Sequence, residues 1–136
     1  MLVVVNLPPI KAVKAVTINE YQKAALRTVQ GTNGLTIING ALGLCGESGE
    51  VADLVKKCVY QGHDLSIDDM ALELGDVAWY IAIMAEAIGM DLETVFQMNV
   101  DKLKKRYPEG FDANRSRNRT SERGDAPEDI SEVGAL

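Results

Sequence analysis

The sequence of 136 residues is poor in aromatic side chains, cysteine and histidine, and it has no long hydrophobic run. Two cysteines, Cys45 and Cys58, and one histidine, His63, provide neither a disulfide framework nor the spacing of a zinc finger. No apolar segment approaches the length of about 20 residues that a membrane-spanning helix needs. Acidic residues outnumber basic residues, and the resulting formal net charge of −6 argues against binding to a nucleic-acid polymer. We therefore expect a cytoplasmic protein with no membrane partner.

One folded domain with two flanking segments is predicted. Residues 1–16 contain Pro8 and Pro9 and show no regular period, so we expect an irregular N-terminal arm. Residues 17–111 carry the periodicity of helices and form the domain. Residues 112–136 are rich in Ser, Asn, Arg, Asp and Glu and poor in hydrophobic residues, which is typical of a disordered charged tail.

Four helices are predicted in the domain, which gives an all-α fold. Thr17 and Glu20 fit a capping box at the first helix, and Ser66 and Asp91 are suited to cap the third and fourth. The short linker 61–65 favours antiparallel packing of the second and third helices in a four-helix bundle-like arrangement. The predicted helices run from Thr17 to about Gln30, from about Leu35 to Tyr60, from Ile67 to about Ile88 and from Leu92 to about Tyr107.

The second predicted helix contains a row of glycines at intervals of three, namely Gly40, Gly43, Gly46 and Gly49. Each glycine inside a helix costs about 1 kcal/mol relative to alanine, so a row of four needs a reason. Small residues allow another helix or a ligand to approach closely, whereas a break in the helix is the alternative. The sequence leaves these explanations open.

Two acidic pairs with the same spacing lie at the centre of the chain. Glu47 and Glu50 are three residues apart on the second helix, as are Glu73 and Asp76 on the third, so each pair shares one helical face. A single such pair is usually a solvated surface, but both pairs fall within apolar faces, where an unpaired carboxylate is costly. Four carboxylates facing a common point repel one another unless a cation joins them, and oxygen ligands suit Mg²⁺ or Mn²⁺. The pattern predicts these four acids as metal ligands.

Two neighbouring features bear on this interpretation. A ferritin-like di-iron site needs Glu-x-x-His pairs, and the one histidine, His63, lies in the linker, so di-iron does not fit. Asp53 continues the acidic row, but Lys57 follows it by four residues, which favours a surface salt bridge.

The fourth predicted helix has a polar and basic side formed by Asn99, Lys102 and Arg106. Lysine as a point charge and arginine as a bidentate clamp are suited to a polyphosphate. The alternative is an ordinary basic last turn, which complements the helix dipole. We predict these residues as phosphate contacts.

A site for a nucleobase or sugar is less defined in the sequence. Trp79 and Tyr80 have rings on which a base can stack, although core packing is the more usual role on a buried helix. Asn39 lies two turns before Glu47 and His63 lies in the linker, and both carry groups that hydrogen-bond a base or sugar.

The order of these motifs resembles the MazG-type nucleotide pyrophosphohydrolases of the all-α NTP pyrophosphatase superfamily, over residues 21–111. One departure is Asp69, which occupies a position where some family members carry a basic residue. The motifs that carry the resemblance are Glu47-x-x-Glu50, Glu73-x-x-Asp76 and Asn99-x-x-Lys102-x-x-x-Arg106-Tyr107-Pro108.

The resemblance implies a helical bundle that hydrolyses a nucleoside or deoxynucleoside triphosphate to the monophosphate and pyrophosphate, as nucleotide-pool house-cleaning. It implies Mg²⁺ as cofactor, the four carboxylates as its ligands, Lys102 and Arg106 as phosphate contacts, and assembly as a homodimer or homotetramer. Two alternatives stay open: a base-selective relative of the dUTPase or dCTPase type, and a non-catalytic helical module that binds a partner.

Overall fold

A computed structural model describes residues 14–30 and 33–117. These residues form five α-helices and no strand, which confirms the all-α class. No helix among them is both apolar enough and long enough to span a membrane. Most of the predicted N-terminal arm lies outside the described residues. The helices are α1 (Ile18–Leu26), α2 (Asn33–Gln61), α3 (Ile67–Ala87), α4 (Leu92–Arg106) and α5 (Ala113–Arg117).

The start of α1 has the predicted capping box, but its end was predicted too late. The Thr17 hydroxyl accepts a hydrogen bond from the Glu20 amide, and the Glu20 carboxylate accepts one from the Thr17 amide. The helix ends at Leu26 instead of near Gln30. Beyond Leu26 the backbone tightens to bonds between residues three apart: the Thr28 amide donates to the Ala25 carbonyl at 3.0 Å, and the Thr28 hydroxyl donates to the same carbonyl at 2.8 Å.

The glycine row of α2 packs against α3 at one end only. A Cβ atom at Gly40 would overlap the Met84 side chain, and one at Gly43 would overlap the Tyr80 ring, whereas Gly46 and Gly49 have nothing near that position. Because residue numbers rise along α2 as they fall along α3, the two helices are antiparallel. The helix is unbroken from Asn33 to Gln61, so the alternative of a break is wrong.

The caps of α3 and α4 agree with the sequence prediction. The Ser66 hydroxyl accepts from the Asp69 amide at 3.1 Å. The Asp91 carboxylate accepts from the Thr94 amide at 2.8 Å. Gly89 lies between these helices with a φ of +75°, a conformation that glycine adopts without strain.

A buried glutamine joins α1 to the turn between α3 and α4. The Gln22 side chain is 4% exposed, and its amide donates to the Met90 carbonyl at 3.2 Å while its oxygen accepts from the Leu92 amide at 2.6 Å. These bonds satisfy polar groups that would otherwise be costly to bury. The small hydrophobic core beside it consists of Ala25, Ala82, Ala85 and Leu92, with Tyr21, Trp79, Ile81 and Val95 packed against it.

The chain divides into two compact units, of which the first ends at Met98 and the second begins at Asn99, within α4. In the second unit, the Asp112 carboxylate accepts from the Arg115 amide at 2.7 Å and so caps α5. Residues 113–117 of the predicted tail form this short helix, and the disordered tail stays a prediction. The rest of the predicted tail, residues 118–136, lies outside the described residues.

Candidate metal centre

Antiparallel packing of α2 and α3 brings three of the four predicted carboxylates together. Glu47 on α2 and Glu73 and Asp76 on α3 each place one carboxylate oxygen within 4.8 Å of the other two. Glu47 and Glu73 are half-buried, and Asp76 is exposed. The group therefore lies between two helices and is accessible to solvent at Asp76.

The electrostatics of this group favour a bound cation. Partial burial raises the pKa of Glu73, and the nearby charges of Glu47, Asp76 and Glu50 raise it further. Three negative charges at this separation are unfavourable without a counter-ion. Carboxylate oxygens are the ligands that hard divalent cations prefer, so the donor set fits Mg²⁺ or Mn²⁺.

Glu50, the fourth predicted ligand, is not one of the three carboxylates that converge among the described residues. It follows Glu47 by three positions, which turns it about 60° around the helix, and its side chain is exposed. Its charge still contributes to the raised pKa of Glu73. Glu50 therefore borders the group and is available for another role.

Tyr80 lies beside the carboxylates. Its ring occupies the space above Gly43, one turn before Glu47 on α2, and it follows Asp76 by one turn on α3. The ring therefore packs between α2 and α3 one helical turn from Glu47 and Asp76. Its predicted role in stacking a base stays a prediction.

Trp79 serves the core in this structure. Its indole N–H donates to the Thr28 hydroxyl at 2.9 Å, and its ring packs on the core and edge-to-face on Tyr80, with 4.8 Å between centroids. The one hydrogen-bond donor of the indole is thus used within the fold.

Tyr21 is a neighbour of the site that sequence reasoning missed. Its hydroxyl donates to the Gly75 carbonyl at 3.2 Å, next to Asp76 in the chain. Burial raises the pKa of Tyr21, and the Asp76 charge raises it further. No motif marked this residue, since its proximity depends on how α1 packs on α3.

The remaining predicted contacts stay predictions. Asn39 on α2 and His63 in the linker are exposed. Asn99, Lys102 and Arg106 belong to the second unit. Asn99 and Lys102 are exposed. Arg106 is half-buried, and its guanidinium carbon lies 5.9 Å from the centroid of the Tyr107 ring.

Asp53 forms the predicted salt bridge instead of extending the site. Its carboxylate contacts Lys57 at 2.6 Å and also pairs with Lys56. Hydrogen bonds from these two lysines lower the pKa of Asp53 to about 2.

Comparisons with known proteins agree with these motifs. Residues 36–111 match the family model described as the MazG nucleotide pyrophosphohydrolase domain. The chain is also similar to the Gene 37 protein of Mycobacterium phage L5, with 38% identity over 100 residues, which cover 66% of this chain and 88% of the phage protein. No solved structure matches the chain significantly. The matched range contains the converging carboxylates, Glu50 and the basic residues of α4.

Proposed function

Because the chain belongs to the MazG nucleotide pyrophosphohydrolase family, we propose that it hydrolyses a nucleoside or deoxynucleoside triphosphate to the monophosphate and pyrophosphate. The observation that carries this proposal is the convergence of Glu47, Glu73 and Asp76 from two antiparallel helices. We place the activity in the cytoplasm, as clearance of the nucleotide pool.

Mg²⁺ is the proposed cofactor, with Mn²⁺ as a substitute, and Glu47, Glu73 and Asp76 would hold it. A bound divalent cation supplies two things to such a reaction: it lowers the pKa of a water molecule and it withdraws charge from phosphate oxygens. The chain contributes negative oxygens on two helices, which would hold the cation that the triphosphate binds and so set the position of the phosphates.

Glu50 is the better candidate for a general base. Glu47 is one of the three converging carboxylates, whereas Glu50 follows it by three positions on α2, and its charge acts on Glu73. A carboxylate beside the site accepts the proton from the attacking water as its oxygen bonds to the α-phosphorus. The bond from that phosphorus to the bridging oxygen then breaks, and pyrophosphate leaves with the bond's electron pair.

Lys102, Arg106 and Asn99 are the proposed phosphate contacts. Their support is their order on α4 and their chemistry: positive charge stabilises the negative charge that grows on departing pyrophosphate. Asp69 offers no such charge, so the proposal assigns this role to the α4 residues.

The experiment is an assay of pyrophosphate release from a panel of NTPs and dNTPs, with Mg²⁺ and with EDTA. The proposal expects release that depends on the metal and is lost in Glu50→Gln, while the helical circular-dichroism spectrum is kept. The panel also shows whether one base is preferred, as in a dUTPase or dCTPase. Absence of release from every substrate would support the non-catalytic alternative and refute the proposal.

A further inference from the structure

A glycine lies between the two carboxylates that α3 contributes to the metal centre. Gly75 follows Glu73 by two positions and directly precedes Asp76. Nothing in the described part of the chain lies within 4 Å of the position that a Cβ atom would take at Gly75, so close packing there does not require a glycine. Glycine inside a helix loses more backbone freedom on folding than any other residue, and it weakens the helix locally. The turn that carries the two carboxylates is therefore a weak point of α3.

A side chain from α1 forms a hydrogen bond at this weak point. The Tyr21 hydroxyl donates to the Gly75 carbonyl at 3.2 Å, across 54 positions of the chain. Within an α-helix that carbonyl also accepts from the amide four residues later, and a carbonyl oxygen has two lone pairs with which to accept both bonds. Tyr21 thus adds a second restraint to the backbone of α3 at the residue where the helix itself supplies least.

The Tyr21 side chain is itself held in place. Its ring is half-buried and packs against the small hydrophobic core between α1, α3 and α4. Its amide donates to the Thr17 carbonyl at 2.9 Å, in the capped first turn of α1. A hydroxyl on a packed ring and a capped helix has little freedom to move away from its acceptor, so the bond to Gly75 can restrain α3.

The charge of the neighbouring aspartate keeps the Tyr21 hydroxyl a donor. Burial raises the pKa of Tyr21, and the Asp76 charge raises it further. The phenol therefore stays protonated at neutral pH and has a hydrogen to donate. The effect of Asp76 also shows that the carboxylate lies close enough to Tyr21 to interact with it.

We propose that Tyr21 is a positioning residue of the metal centre, whose hydrogen bond to Gly75 holds Glu73 and Asp76 in the geometry that binds the cation. It acts through the backbone of α3 and is not itself a ligand. The inference rests on the metal site of the proposed function, but it does not depend on which triphosphate is hydrolysed.

Binding of Mn²⁺ followed by electron paramagnetic resonance tests this role, because it reports on the carboxylates without any substrate. Tyr21→Phe keeps the packed ring and removes the hydroxyl. We expect it to weaken Mn²⁺ binding about two- to tenfold, the change that the loss of one hydrogen bond gives. The helical circular-dichroism spectrum should stay that of the wild type. Wild-type Mn²⁺ affinity in Tyr21→Phe would overturn the inference.

Thr28→Val is the matched control for a general loosening of the contact between the N-terminal segment and α3. The Thr28 hydroxyl accepts from the Trp79 indole at 2.9 Å, so this variant also loses one side-chain hydrogen bond to α3, at a residue that is not between the carboxylates. It should bind Mn²⁺ as the wild type does. An equal loss of affinity in Thr28→Val and Tyr21→Phe would mean that Tyr21 has no specific positioning role.

A second substitution tests whether the weak point at Gly75 is the reason that Tyr21 matters. Alanine fits at this position, since nothing lies near the missing Cβ, and it is the better helix former. Gly75→Ala alone should bind Mn²⁺ at least as tightly as the wild type, and Tyr21→Phe should cost less affinity in that background than in the native chain. Weaker binding in Gly75→Ala, or an undiminished effect of Tyr21→Phe beside it, contradicts the proposed role.

These measurements separate the role of Tyr21 from the proposed activity. A wild type that binds Mn²⁺ but releases no pyrophosphate would refute the activity, while a loss of affinity confined to Tyr21→Phe would still support the positioning role. Conversely, a wild type that releases pyrophosphate, with Tyr21→Phe binding Mn²⁺ equally well, would refute the positioning role alone.

Discussion

Asp76 is the exposed member of the acidic group, and a second exposed aspartate on the same helix provides a control for its substitution. Asp68, in the first turn of α3, is also exposed but lies outside the group. Asp76→Asn keeps the size of the side chain and removes a charge from the proposed ligand set. We expect pyrophosphate release to fall by at least roughly 10- to 100-fold, the loss typical of a residue that only supports a ligand. Asp68→Asn should keep wild-type turnover, and equal losses in both variants would remove Asp76 from the site.

Gln22 is predicted to matter for stability without contacting the metal centre. Gln22→Leu keeps a side chain of similar size but removes its oxygen, so the Leu92 amide loses its hydrogen-bond acceptor. A buried donor left unsatisfied costs about 1–3 kcal/mol, so we expect the free energy of unfolding in urea to fall by that amount. Gln30→Leu, at an exposed position outside the helices, is the control and should change it little.

Some positions in the site could be predicted from residue spacing, and others could not. The i, i+3 spacing correctly indicated that Glu73 and Asp76 share a face. It could not show that Glu47 points into the group while Glu50 borders it, since that depends on how α2 is rotated about its axis. Tyr21 was missed for the same reason, because a contact across helices leaves no local pattern.

Among the helices, α2 depends on glycine where it meets α3. Gly43→Ala would place a Cβ within the Tyr80 ring. Forcing a methyl group into a packed contact costs about 1–3 kcal/mol, and here it also displaces a side chain beside the carboxylates. We expect a lower thermal midpoint together with reduced turnover.

Gly34→Ala provides the opposite case in the same helix. Gly34 lies in the first turn of α2, and nothing lies near its missing Cβ. Alanine is a better helix former by up to about 1 kcal/mol, so this variant should be as stable as the wild type or more so. If both variants change stability equally, close packing is not the reason for Gly43.

The cap of α4 makes a pH-dependent contribution to stability. Hydrogen bonds from the Thr94 amide and hydroxyl lower the pKa of Asp91 below its usual value. Since the folded pKa is the lower one, this stabilisation is present above the unfolded pKa of about 4 and is lost as the pH falls through the folded pKa.

Asp91→Asn keeps a good N-cap but removes the titration. We expect the wild type to exceed this variant in unfolding free energy at neutral pH, and the gap to shrink on acidification below about pH 4. Urea unfolding curves recorded over a pH series measure this difference in free energy. Thr94→Ala, which removes only the hydroxyl donor, should show a smaller change. A gap that is independent of pH would contradict the assigned cause.

The helix boundaries show which parts of the fold are encoded locally. The caps at Thr17, Ser66 and Asp91 were predictable because each uses bonds within a few residues of the chain. The end of α1 was not, since Thr28 at that end accepts a hydrogen bond from the indole of Trp79, 51 residues away in the chain. A local pattern does not reveal such a contact between distant parts of the chain.

For the chain as a whole, the antiparallel pairing of α2 and α3 is the feature that brings the acidic residues of two separate motifs together. The short linker predicted this pairing, and the glycine contacts specify its register, which sets the three carboxylates side by side. The composition does not indicate that these three carboxylates converge, since exposed acidic residues are common on a chain with a net charge of −6.

Binding of Mn²⁺ measured by electron paramagnetic resonance tests the central claim most directly, because free and bound Mn²⁺ are distinguished without any substrate. The converging oxygens of Glu47, Glu73 and Asp76 predict saturable binding that Mg²⁺ displaces. Glu73→Gln should weaken it at least tenfold, while Asp68→Asn should bind as the wild type does. Wild-type affinity in Glu73→Gln would contradict the account.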